Sequence, residues 1–168
     1  MGGIASSLII LGLFLSLAST ETQAKCHEMN RQILAYAKSK TGQRVGRGEC
    51  WDLAQAALDY HKASWKRPFA FGKRLGSHET PRVGDIIQFE NTQISWRRGN
   101  SWGTMTLGDP HHTAIICEIN GSELQLIHQN VQGVRKVVVG TKVNLREIVS
   151  GTYTIYRPVR CAASAQKH

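Results

Sequence analysis

The sequence predicts an α+β domain in which N-terminal helices pack on an antiparallel, barrel-like β-sheet. Apolar residues recur at helical spacing only between residues 26 and 60. From residue 86 onward, short runs rich in β-branched residues alternate with glycine and asparagine, as is typical of strands joined by turns. With 168 residues and 41% hydrophobic content, the chain is long enough for one compact domain and too short for two ordinary ones.

Two helices are predicted before the sheet. The first covers residues 26–39, where apolar and charged residues alternate with a helical period. A glycine-rich turn over 41–48 follows it. The second helix is predicted to begin at or beside Cys50 and to run to about Tyr60, because one face collects Cys50, Ala54, Ala57 and Leu58. Cys50 is therefore expected in the first turn of a helix.

The remaining segments are predicted to be strands and turns. Pro81–Asp85 is interpreted as a turn before a strand over Ile86–Phe89. The polar stretch 91–110 is interpreted as a surface loop whose tryptophans either contact a ligand or cover the core. Further strands are predicted over 112–119, 122–130, 134–139, 143–149 and 152–156.

The hairpin around Asn120-Gly121 decides which way the histidines point. A two-residue turn at these positions would put His112 on the wrong face for an inward cluster. We therefore predict either a Gly121 bulge that sets His112 opposite His128, or a three-residue loop that sets His112 opposite Asn130. Either register places the two histidines and the asparagine on one inward face.

The N-terminus is predicted to be a signal peptide. Leu8–Ala18 is an uncharged apolar run, shorter than the roughly 20 residues of a membrane span, and cleavage is expected after Ala18 or Ala24. A retained membrane anchor is the alternative, since no Lys or Arg precedes the run. We divide the chain into a leader at 1–24, a domain at 25–160 and a tail at 161–168, and expect a secreted or periplasmic monomer.

The charge is strongly positive. Lys and Arg number 21 against 12 Asp and Glu, which gives +9, or +10 once Glu21 leaves with the leader. Such a surface favours an anionic partner, whether nucleic acid, an acidic membrane or a cell-wall polymer. A solvated surface without a specific partner is the alternative.

The cysteines are interpreted for an oxidising compartment. We expect Cys26 and Cys161 to form a disulfide that joins the ends of the mature chain, and Cys117 to be a small buried hydrophobic residue. No Cys-x-x-Cys pattern or phosphate-binding glycine loop occurs, so neither a metal nor a cofactor is expected.

Cys50, His112 and a polar residue on the next strand follow the order of a nucleophile, its base and the group that orients the base. A helix start favours the thiolate, since its exposed amides and dipole attract negative charge. His112 would take the thiol proton, and His128 or Asn130 would fix its ring. His111 is the alternative base, and a buried structural cysteine is the alternative to a nucleophile.

Four segments carry a resemblance to a known family: Val45–Ala54, Pro81–Ile87, His112–Ile116 and His128–Asn130. Together they resemble the CHAP and NlpC-type cysteine amidohydrolases of the papain-like superfamily, over about residues 40 to 158. CHAP domains usually carry Glu where this chain has His128, and NlpC-type domains commonly carry His there. The resemblance implies a helix packed on an antiparallel sheet, and hydrolysis of amide or peptide bonds in peptidoglycan.

The sequence as a whole predicts a secreted cysteine hydrolase with Cys50, His112 and His128 or Asn130 in its site. Its expected partner is peptidoglycan or another anionic cell-wall polymer, with no nucleic acid and no stable membrane anchor. Two alternatives stay open. One is a non-catalytic domain of the same fold that binds wall fragments or a protein. The other is a basic secreted nuclease that uses His111, His112 or His128.

Overall fold

The computed structural model describes residues 27–160, so the expected leader, the tail, Cys26 and Cys161 lie outside the described residues. Within that range, helices α1 (27–39) and α2 (Asp52–Tyr60) precede six strands. The strands are β1 Lys73–Arg74, β2 Ile86–Arg98, β3 Ser101–Asn120, β4 Glu123–His128, β5 Val138–Asn144 and β6 Ile148–Arg157. A 3₁₀ helix, Leu145–Glu147, connects β5 and β6. No helix in the described range is long and apolar enough to cross a membrane.

The six strands form one antiparallel sheet in the order β1-β6-β2-β3-β4-β5. The predicted α+β class with helices before an antiparallel sheet is confirmed. Barrel-like closure is not confirmed, because β1 and β5 are the two edges of an open sheet.

The two faces of the sheet contribute to two separate apolar clusters. On one face, Ile86 and Ile115 pack with the buried residues of α1 and α2. On the other face, Ile87 and Ala114 belong to a cluster without helical residues. This division follows from strand geometry, in which successive side chains point to opposite faces. It also assigns His112, which has the parity of Ala114, to the face away from the helices.

The polar stretch 91–110 is not a loop, contrary to the prediction. It extends β2 and β3 into a long hairpin that is paired up to a turn at 99–100. Ile94 and Leu107 are buried where this hairpin leaves the core. Trp102 is 76% exposed and does not cover the core. The outer half of this hairpin is polar because few of its side chains are buried. Its two strands are held together mainly by backbone hydrogen bonds.

The last strands also differ from the predicted boundaries. Gly140 and Gly151, which were expected to separate strands, lie inside β5 and β6. Gly140 falls where the pairing of β5 with β4 shifts by one residue. Glycine is common at such bulges, so its presence does not end a strand.

A buried ion pair joins the first helix to the sheet. The Asp85 carboxylate, which is fully buried, accepts hydrogen bonds from Asn30 Nδ2 at 2.7 Å and from Arg157 Nη2 at 2.9 Å. The helix can approach this closely because Gly84 has a φ of +84°, and a Cβ there would lie 2.1 Å from the Asn30 carbonyl oxygen. Residues from α1, the turn before β2 and the end of β6 are thereby fixed to one another.

Candidate functional site

The β3–β4 hairpin places His112 and His128 on one face, as predicted, but through a different turn. The turn lies at Gly121-Ser122, and a bulge at Cys117 shifts the pairing by one residue. The bulge offsets the change in turn position. The register near the site is therefore the one predicted for the three-residue loop.

The two histidines form a hydrogen-bonded chain that ends on β5. His112 Nε2 lies 2.7 Å from His128 Nδ1, and His128 Nε2 lies 2.9 Å from Thr141 Oγ1. The two rings are nearly perpendicular, at 80°. His112 is 5% exposed and His128 is fully buried, so both rings are held in one geometry by the sheet around them.

This chain permits two proton arrangements. In the first, His112 Nε2–H donates to His128 Nδ1, and His128 Nε2–H donates to Thr141 Oγ1. This leaves a lone pair on His112 Nδ1. In the reverse arrangement, the Thr141 hydroxyl donates and His112 Nδ1 carries the proton. His112 Nδ1 has no hydrogen-bond partner among residues 27–160. Only the first arrangement makes His112 a base at that atom.

Both rings are neutral near neutral pH. Burial lowers the pKa of His112 to about 4. Burial, and then the charge of His112, lowers the pKa of His128 to about 3. A neutral ring is the form that a general base requires, whereas the imidazolium that forms during catalysis is disfavoured here.

The thiol of Cys50 lies at the edge of β3, beside His112. Its Sγ is 3.8 Å from the carbonyl oxygen of His111. The thiol thus contacts the backbone of the residue that precedes His112. No hydrogen bond joins Cys50 Sγ to the His112 ring in the described part of the chain, so the structure does not itself bring the predicted nucleophile and base into contact.

Cys50 lies just before α2 and not in its first turn, since Trp51 is the N-cap and the helix begins at Asp52. Burial raises the pKa of the Cys50 thiol, and the hydrogen bonds from Thr113 and from the Trp51 backbone lower it by less. The prediction that this position favours the thiolate is therefore wrong. Removing the thiolate from water outweighs its hydrogen bonds.

The glycine-rich loop before Cys50 is fixed by Asp52. Asp52 Oδ2 accepts hydrogen bonds from the backbone N–H groups of Arg47, at 2.7 Å, and Glu49, at 3.1 Å. Gly46 allows this fold because its φ is +56° and a Cβ would lie 2.9 Å from Asp52 Oδ2. The carboxylate thereby positions the loop that leads to the thiol.

Gln129 holds the same loop from the opposite side and was missed in the sequence. Its Oε1 accepts from Val45 N at 3.1 Å, and its Nε2 donates to the carbonyl oxygens of Val45 at 3.0 Å and Glu49 at 2.7 Å. Strand alternation predicted an outward Gln129, but β4 ends at His128 and Gln129 is fully buried. A run of polar residues directly after a strand was the available signal.

Asn130 does not orient His112. Its Nδ2 donates to Glu49 Oε2 at 3.0 Å, and its φ of +56° shows that the chain has already left the strand. Alternation no longer applies beyond His128, which is why the predicted common face for Asn130 fails. Of the two predicted orienting residues, the structure joins only His128 to His112.

The alternative base, His111, lies on the opposite face of β3 and is exposed. Its ring packs on Phe69, with the ring centroids 4.5 Å apart. Its backbone carbonyl oxygen lies 3.8 Å from Cys50 Sγ. The His111 ring is therefore separate from the His112–His128 chain.

Two thiols lie within the described residues, and both are free. Cys117 is half-buried at the bulge, where its Sγ donates to the carbonyl oxygen of Gln125 at 3.2 Å. The expected Cys26–Cys161 disulfide falls outside residues 27–160. Across that range, no three side chains of His, Cys, Asp or Glu converge as metal ligands.

Two solved structures are similar to part of this chain. They are described as "The crystal structure of Ly7917" and "The crystal structure of Ly7917 with the hydrolyzing product of MDP". Each is 16% identical, with a TM-score of 0.48, over 77% of this chain and 62% of that chain.

A curated relative is altered inheritance of mitochondria protein 3 from Debaryomyces hansenii. It is 28% identical over 158 residues, which cover 83% of this chain and 17% of that protein. This chain therefore spans only a small part of that relative's length. The AIM3/BBC1 cysteine proteinase-fold domain matches residues 16–167, a match that does not single out the CHAP or NlpC type. Because it covers most of the sequence, the chain belongs to the AIM3/BBC1 cysteine proteinase-fold domain family.

Proposed function

We propose that this domain is a cysteine hydrolase of peptide or amide bonds, with Cys50 as nucleophile, His112 as base and His128 as the residue that orients His112. One observation carries the proposal. In one of its two proton arrangements, the chain from His112 Nε2 through His128 to Thr141 leaves a lone pair on His112 Nδ1, which has no partner among residues 27–160, and the carbonyl oxygen of the preceding residue lies 3.8 Å from the Cys50 thiol. A nucleophile, a base and a group that fixes the base are the parts that acyl transfer requires.

The reaction balances with these residues alone. As Cys50 Sγ attacks the carbonyl carbon, its proton passes to His112 Nδ1, and His112 then delivers this proton to the leaving amine as the C–N bond breaks. The acyl group remains on Cys50 as a thioester. Water attacks the thioester while His112 takes its proton and returns one to the sulfur.

The resting pair is a neutral thiol and a neutral imidazole, because burial opposes charge on both. We therefore expect the thiol proton to move during attack and not before it. Such a site should react slowly with small alkylating agents and faster with a substrate that brings the two side chains together.

A non-catalytic binding domain is the second candidate. It is supported by the missing hydrogen bond between Cys50 and the His112 ring, and by pKa shifts that disfavour the ion pair. In that case the loop at 45–50 and the buried histidines would serve the fold alone.

A turnover assay on the full chain separates the two candidates. The wild type is incubated with a library of fluorogenic peptide amides, with peptidoglycan fragments as one arm because the resemblance to CHAP and NlpC-type enzymes implies them. We expect turnover that Cys50→Ala and His112→Gln abolish and that Cys117→Ser preserves. Equal background rates for wild type and Cys50→Ala on every substrate would favour the binding domain.

The substrate class and the cellular compartment are two further proposals. The comparisons give no support to peptidoglycan, so the substrate class proposed here is a peptidic amide in general. Export is a separate proposal, which rests on the apolar run Leu8–Ala18. N-terminal sequencing of the protein made by its own host would reveal whether cleavage occurs after Ala18 or Ala24.

A further inference from the structure

A cavity of about 330 Å³ lies along α2, the helix that follows the candidate nucleophile. Arg47 and Arg67 line it, and their guanidinium carbons lie 5.6 and 4.9 Å from the centre of the Trp51 ring. Both distances are within the range of cation–π contact. Two positively charged side chains therefore stack on Trp51, the residue after Cys50 in the chain.

The carboxylates of this cavity are already engaged. Asp52 accepts two backbone N–H groups, and its other oxygen lies 3.7 Å from Arg47 Nη2. Asp59 accepts from Trp65 Nε1 at 2.6 Å and from Gln55 Nε2 at 3.4 Å. These acids therefore leave most of the guanidinium donors of the cavity without a strong acceptor.

We propose that Arg67 and Arg47 bind a carboxylate of the substrate at this cavity, whose arginines stack on the residue next to Cys50 in the chain. Among residues 27–160, no carboxylate lies within 4.0 Å of Arg67. Guanidinium groups match the planar geometry of carboxylates and form paired, charge-assisted hydrogen bonds with them. The subsite rests on the proposed function, because that function is what brings a peptide substrate to this position.

The carboxylate has two sources in a peptide, an acidic side chain and a free C-terminus. A cavity of this volume is at the lower end for ligand pockets, and one side chain or one terminus is enough to occupy it. Peptide pairs that differ in one charged group distinguish the two sources.

Binding is measured on the full chain carrying Cys50→Ala, so that turnover plays no part. Three alanine-based pentapeptides serve as probes: one capped at both ends with a central Glu, its Gln counterpart, and one with a free C-terminal carboxylate. The readout is the NMR shift of the Trp51 indole N–H, which lies under both arginines. We expect the Glu peptide, the free-terminus peptide or both to bind more tightly than the Gln peptide, and high salt to remove the difference.

Arg67→Gln and Arg47→Gln should each weaken carboxylate binding about three- to tenfold and leave binding of the Gln peptide unchanged. Arg146→Gln is the matched control, since Arg146 is exposed on the 3₁₀ helix and its side chain forms no ion pair among the described residues. Equal binding of all three peptides, or no effect of Arg67→Gln on the carboxylate peptides, would overturn the subsite.

The subsite and the hydrolase can fail separately. Arginine-dependent carboxylate binding without any turnover by the wild type supports the subsite and rejects the hydrolase. Turnover that is equal for Glu and Gln substrates, with no binding difference in the Cys50→Ala protein, supports the hydrolase and rejects the subsite.

Discussion

At the scale of single residues, two buried histidines are kept neutral by the sheet that surrounds them. Their pKa values lie below the ordinary value of about 6.5, so the unfolded chain binds protons more readily than the folded one as pH falls. Neutral His112 and His128 are thus a source of pH-dependent stability as well as a candidate base and its orienting partner.

We predict that the free energy of unfolding decreases as pH falls from about 6.5 toward 4. Because the folded pKa of His112 is lowered to about 4, its contribution is present in full above the unfolded pKa and is lost on acidification, on the order of 3 kcal/mol. Urea unfolding of wild type and of His112→Gln/His128→Gln at several pH values measures this. The double variant should show a shallower slope. His78→Gln, at an exposed position, is the control and should leave the slope unchanged.

The hydroxyl of Thr141 is the last member of the hydrogen-bonded chain from His112. Thr141→Val keeps the shape of the side chain but leaves His128 Nε2 without its partner, so we expect kcat/KM to fall about tenfold, near the upper worth of one hydrogen bond. Thr141→Ser restores the hydroxyl and should restore the rate on the same peptide amide. If Thr141→Val proceeds at the wild-type rate, the chain does not orient His112.

The sequence predicted the site residues unevenly. The common face of His112 and His128 could be predicted because strand periodicity fixes which face each occupies, whereas the catalytic role of Cys50 stays a prediction. Thr141 could not, because it lies on a strand whose boundaries were misplaced by the glycine beside it. Asn130 was assigned to the wrong partner because alternation was extended past the end of β4.

At the scale of elements, the loop before α2 is held between the helix and the end of β4. Asp52 fixes it from the helix, and Gln129 fixes it from the strand. The three hydrogen bonds of Gln129 span 80 or more residues of sequence, so they restrain the loop only once the sheet has formed. The position of Cys50 thus depends on the sheet and not on α2 alone.

Gln129→Ala should lower the free energy of unfolding by about 2–4 kcal/mol, because it leaves the buried N–H of Val45 and two carbonyls unpaired. It should also release the loop and speed alkylation of Cys50 by iodoacetamide. Denaturant unfolding and mass spectrometry of the labelled protein measure the two effects. Gln125→Ala on the same strand is the control. An equal loss of unfolding free energy there would show that the hydrogen bonds of Gln129 have no special role.

Helix positions were easier to predict than strand boundaries. α2 ends at Tyr60 as predicted, since its apolar face is continuous and packs on one cluster. The long β2–β3 hairpin was missed because its outer half buries few side chains, and polar strands without a covered face leave no alternation to detect.

At the scale of the whole molecule, one buried ion pair connects the first helix to the sheet where the start of β2 lies beside the end of β6. Asp85 accepts from Asn30 on α1 and from Arg157 at the end of β6, and Arg157 also donates to the carbonyl oxygen of Thr80. Elements distant in the sequence are thereby joined through a carboxylate that has no contact with water. Such pairs are costly to break from one side only.

Asp85→Ala should therefore destabilise the whole domain, by about 3–5 kcal/mol, because it leaves the buried Arg157 without its charge partner. Removing both charges in Asp85→Ala/Arg157→Met should recover part of this loss, since the second substitution removes the unpaired cation. Denaturant unfolding of the two single variants and the double variant gives the coupling energy. Glu123→Ala, which breaks a solvent-exposed pair with Lys142, should change stability far less. Additive losses in the double variant would mean that the two charges act independently and that α1 is held to the sheet by apolar packing alone.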